Sequence, residues 1–74
     1  MSAEEIRTKI EQGLPGSRVQ VRDTTGTGDH FEAIVVAQQF AGKNMVEQHR
    51  MVYSILGADM AGPIHALALR TSAT

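Results

Sequence analysis

The 74-residue sequence predicts an α+β domain whose three-stranded mixed sheet is covered by helices. Three features carry that expectation. Apolar residues recur at helical spacing behind a Ser2-to-Glu5 capping box. Two period-two stretches are joined by a short Thr/Gly loop, as in an antiparallel hairpin. The segment between the second of these and the last is long and mostly helical, as a right-handed crossover between parallel strands requires. Residues 1–74 are expected to form a single domain with one core, because a chain this short buries only about 60% of its unfolded surface.

Taken in order, Ser2 and Glu5 start a helix over about residues 3–12. Ile6, Ile10 and Leu14 form its apolar stripe, and Gly13, Pro15 and Gly16 stop it. Residues 18–23 alternate Val19 and Val21 with Gln20 and Arg22, as an edge strand with one wet face does. Residues 24–29 are a small-residue loop. Residues 31–37 are almost continuously apolar, which suits a strand flanked on both edges and at least partly covered on both faces. Asn44 caps a second helix with Glu47 three residues on, and Met45, Val46, Val52, Ile55 and Leu56 supply its apolar side. Residues 58–61 add one more helical turn before Gly62 and Pro63. A last strand over residues 63–69 then puts Ile64, Ala66 and Ala68 on one face and His65, Leu67 and Leu69 on the other.

The totals exclude several classes of function. Net charge is −1 and the isoelectric point about 6.2, so no basic field draws in nucleic acid or an anionic membrane. Cysteine is absent, which removes disulfides, thiol nucleophiles and every all-thiolate metal site. The amino terminus carries acid where a signal peptide carries base, and no apolar run approaches about 18 residues, so the expected location is the cytoplasm. The serines and carboxylates show no triad or paired-acid spacing, so the chain is not expected to be an enzyme.

What remains is histidine. His65 is the one polar member of its strand and needs a hydrogen-bond partner, a metal or the wet rim of the sheet. His30 immediately precedes the second strand. If that strand and the last one are parallel neighbours, about 4.8 Å apart, both histidines fall at one end of the sheet, a two-histidine corner.

The stretches Phe31-Glu-Ala-Ile-Val-Val, Phe40-Ala-Gly, Val46-Glu-Gln-His-Arg-Met-Val-Tyr and Ile64-His-Ala-Leu-Ala-Leu resemble the BolA family, in the family's order, over roughly residues 3–71. The resemblance implies an αββααβ fold similar to type II KH domains. It also implies a partnership with monothiol glutaredoxins, with glutathione present, around a shared bridging [2Fe–2S] cluster in iron–sulfur trafficking or iron homeostasis. Members are linked to transcription as well. By position, His65 matches the signature histidine that serves as a cluster ligand. The cysteine-bearing subgroup places its loop ligand four residues before the phenylalanine, where this chain has Thr27. A histidine-bearing subgroup has a longer loop with its own histidine; the short loop of this chain offers only His30, directly before Phe31, and the second ligand is assigned there as the one histidine available. The tryptophan-containing tail of the family has no counterpart in Arg70-Thr-Ser-Ala-Thr74.

The chemistry accords with that implication. Two histidines replace two cysteines on one iron in known clusters, and a chain without thiols leaves the sulfurs to its partner. Neutral imidazole is the binding form, so affinity falls as pH drops through about 6.5. Each residue also has a plainer reading: His65 as a strand-end histidine on a backbone carbonyl, His30 as a loop residue beside Phe31. His49 reads as a packing or interface residue, Arg50 and Lys43 as solvated charges, and Met45, Met51 and Met60 as core filler. Gly26-Thr-Gly28 lacks the rest of a nucleotide loop. A KH-like nucleic-acid-binding domain is the alternative function; few aromatics and no G-x-x-G clamp stand against it. Alone, the chain is expected to be a monomer or weak homodimer.

Overall fold

Ser2 and Glu5 close the capping box: Ser2 Oγ accepts the Glu5 N–H at 3.1 Å and Glu5 Oε1 accepts the Ser2 N–H at 3.0 Å. Helix α1 (Ala3–Gly13) follows and buries Ile6 and Ile10, with its C-cap residue Leu14 beside them. The structure, a computed structural model, describes residues 1–64 and 66–74. Strand β1 (Arg18–Asp23) and strand β2 (His30–Val36) form the expected antiparallel hairpin. A 3-10 turn (Gln38–Phe40) leads into helix α2 (Met45–Leu56), a second 3-10 turn (Gly57–Ala61) and strand β3 (Ala66–Ser72). The sheet order is β1-β2-β3, with β2 and β3 parallel, so the crossover joins neighbours as the connection length requires.

Alternation decides which side of the sheet is covered. Val19 on β1 and Phe31, Ala33 and Val35 on β2 are buried beneath the helices together with Phe40, Val52 and Leu56. Helix α1 packs on β1, α2 packs on β3, and the two helices touch each other. On the opposite face Ile34 is 37% exposed and Arg22 reaches Glu32, its cross-strand partner, at 3.5 Å. The expectation that β2 is partly covered on both faces therefore gives way to one covered and one open face, because both helices lie on the same side. No helix among the described residues is long and apolar enough to cross a membrane.

Four local expectations are corrected. Strand β2 begins at His30, one residue early, because His30 already pairs with Ala66. Strand β3 begins at Ala66 instead of residue 63: Gly62 and Pro63 are turn, and the Ile64 N–H bonds the Asp59 carbonyl at 2.8 Å. Ile64 is thus buried without being part of the strand, and the faces of β3 are set by Leu67, Leu69 and Thr71, which lean inward, against exposed Ala66, Ala68 and Arg70. Met45 and Val46, expected on the apolar side of α2, are 53% and 59% exposed. Gln48 is buried in their place, its Nε2 donating to the Lys43 carbonyl at 2.9 Å. Gly13 does more than stop α1. A Cβ there would stand 2.7 Å from Ile55 Cγ1 and Cγ2, so the missing side chain lets α1 and α2 approach.

Candidate metal-ligand site

The loop at residues 24–29 is built around a residue that the strand pattern treats as a mere end. Asp23 closes β1, and its carboxylate folds over the loop: Oδ1 accepts the N–H groups of Thr25 (3.2 Å) and Gly26 (2.8 Å), and Oδ2 accepts that of Gly28 (2.9 Å). Gly26 and Gly28 take positive φ values of 75° and 79°, which turn their N–H groups inward toward it. Partial burial is the largest single influence on this carboxyl and pushes it up, and nearby Asp29 acts the same way. The N–H donors of Gly26, Gly28 and Thr25 together outweigh both and hold Asp23 below its ordinary 3.8. The Gly-Thr-Gly segment is therefore a turn wrapped on a carboxylate.

Beyond Gly28 the chain enters β2 through Asp29 and His30. The Asp29 carbonyl accepts the Ala66 N–H at 3.1 Å, and the His30 carbonyl accepts the Thr24 N–H at 2.9 Å. Side-chain Nδ1 of His30 lies 2.8 Å from Asp29 Oδ1, with 39% and 44% of the two side chains exposed. The same carboxylate accepts the Thr27 hydroxyl, and Thr27 Oγ1 is 2.6 Å from Thr25 Oγ1. An accessible imidazole backed by a carboxylate is the usual form of a metal-ligating histidine, so His30 fits the ligand role.

Of the predicted site residues, His30 stands at the β1-β2 loop end of the sheet, opposite Ala66 in the parallel register. His65 precedes Ala66 in the sequence but lies outside the described residues. His49 is half-buried on α2 with its Nε2 enclosed, as a packing residue is. Asp23 and Asp29 were given no role from sequence, and Thr27 entered only as the residue at the cysteine subgroup's ligand position. The available signal was an aspartate immediately ahead of a Thr/Gly run, which favours a side-chain-capped turn.

Comparison with known proteins gives a consistent result. A family model described as "BolA-like protein" matches residues 7–74. "BolA-like protein 1" of Bos taurus is 36% identical over 72 residues, covering 88% of this chain and 53% of its own length; the chain thus spans about half of that relative. The "DNA-binding transcriptional regulator BolA" of Escherichia coli is 39% identical over 78 residues, covering 96% of this chain and 74% of its own. Among solved structures, a BolA homologue from Coxiella burnetii superposes with a TM-score of 0.81 at 42% identity, covering 96% of this chain and 88% of its own.

Proposed function

We propose that this chain, which belongs to the BolA-like family, is a cytoplasmic, non-catalytic partner of a monothiol glutaredoxin. In this reading His65 and His30 give imidazole ligands to a [2Fe–2S] cluster that the two proteins share, and the glutaredoxin with its glutathione gives the thiolates. The process served is iron–sulfur trafficking or iron homeostasis. The observation that carries the reading is the parallel register of β2 and β3, in which His30 pairs with Ala66, the residue that follows His65 in the chain. The role of His65 comes from the family resemblance. The donor set suits the group: no cysteine is present to compete with imidazole, and nitrogen ligands on one iron with sulfur on the other are an established combination.

The test is a titration of the chain into cluster-loaded monothiol glutaredoxin, followed by visible absorption and circular dichroism. Mixed nitrogen and sulfur ligation changes both spectra. His65→Ala abolishes the change and His30→Ala weakens it. Unchanged spectra, with no complex on size exclusion, overturn the reading.

The name of the Escherichia coli relative favours a second reading, a KH-like domain that binds DNA and regulates transcription. A gel shift on duplex DNA that weakens steeply with salt would support it; an absent or salt-insensitive one would remove it.

A further inference from the structure

We infer that Asp29 is a positioning residue that fixes the proton of His30 on Nδ1 and so directs the ring to metal through Nε2; this rests on the ligand reading of His30 above. A neutral imidazole carries one proton, and the hydrogen bond made by one nitrogen decides which of the two holds it. Asp29 Oδ1 lies 2.8 Å from Nδ1. An ionised carboxylate only accepts, so Nδ1 is the protonated nitrogen and the ring's lone pair is on Nε2.

The carboxylate is itself held in place. Its Oδ1 takes the Thr27 hydroxyl, whose proton is thereby committed, so the Thr25 hydroxyl donates to Thr27 in turn. Thr27 stands between Gly26 and Gly28, whose N–H groups are both bonded to Asp23. On the main-chain side, Asp29 is tied to the first residue of β3 through the Ala66 N–H. A line of hydrogen bonds thus runs from the end of β1 across the loop to the imidazole. Along it the Thr25 hydroxyl donates to Thr27 Oγ1 and the Thr27 hydroxyl donates to Asp29 Oδ1.

The experiment reads the tautomer in the full chain alone, by long-range proton–nitrogen correlation spectra at mildly alkaline pH. Wild type shows a protonated Nδ1 and a bare Nε2 at His30. Asp29→Ala moves the proton to Nε2, whereas Asp29→Asn, which keeps an acceptor oxygen, leaves it on Nδ1. Thr27→Val disturbs the same loop but spares the carboxylate, and also keeps Nδ1 protonated. With cluster-loaded glutaredoxin, Asp29→Ala then binds on the order of tenfold more weakly, and Asp29→Asn recovers most of that loss. The inference is overturned by a bare Nδ1 in wild type, by an unmoved proton in Asp29→Ala, or by a Thr27→Val variant that shifts it equally. It is also overturned if Asp29→Ala binds like wild type while His30→Ala does not. His30→Ala binding like wild type instead overturns the ligand reading itself.

Discussion

The two ends of the sheet are made of different material. At the end where β1 begins and β2 stops, a cleft of about 500 Å³ is lined by Pro15, Gly16, Gln38 and Gln39. Gln39 Nε2 donates across it to the Pro15 carbonyl at 3.0 Å, and Phe40, 1% exposed, anchors the adjoining 3-10 turn in the core. Nothing lining that cleft titrates. At the other end Asp23, Asp29 and His30 stand within one loop and its flanks, and Thr25 and Thr27 connect to that network. Room for a ligand and the chemistry to hold one are separate properties, and the first does not locate the second. The cleft end carries stability; the loop end carries the ionisable groups on which binding is proposed to depend.

Substitutions at the two ends should therefore separate folding from binding. Phe40→Ala at the cleft end removes a fully buried ring and costs about 3–5 kcal/mol in chemical denaturation, a large part of what a domain of this size has. An equal loss from a substitution inside the loop would break the distinction. Asp23→Asn has a smaller and pH-dependent effect. The folded-state carboxyl lies below its ordinary 3.8, so its stabilisation is present above that value and is lost as pH falls through the folded value. Asn also turns an N–H group toward a backbone donor where Oδ2 now accepts Gly28. Melting curves of variant and wild type should differ most near neutrality and converge in acid; a gap that stays constant with pH contradicts the role given to Asp23. Gln39→Ala, which removes one exposed hydrogen bond at the cleft, should change stability by about 0.5 kcal/mol or less and leave the glutaredoxin titration unaltered. A weakened complex there would move the binding surface to the wrong end.

Much of the architecture was readable because it rests on nearest neighbours. Ser2 with Glu5 and Asn44 with Glu47 both form reciprocal capping boxes, and the valines of β1 fall on the covered face as their alternation requires. Local pattern failed where a segment's surroundings outvoted it. Met45 and Val46 are apolar yet lie on the outer side of α2, while Gln48 enters the core with a backbone carbonyl to bond. Ile64 continues the alternation of the last strand but is buried by a turn anchored on Asp59.

By itself the sequence determined the order of elements, the hairpin, the parallel crossover and the absence of thiolate ligands, since each follows from spacing or composition along the chain. Only the tertiary structure decided that His30 pairs with Ala66 and that Asp23 and Asp29 organise the loop. Those outcomes depend on strand register and on the positive φ of Gly26 and Gly28. Both are settled when the loop closes between packed strands, a geometry that no run of adjacent residues specifies.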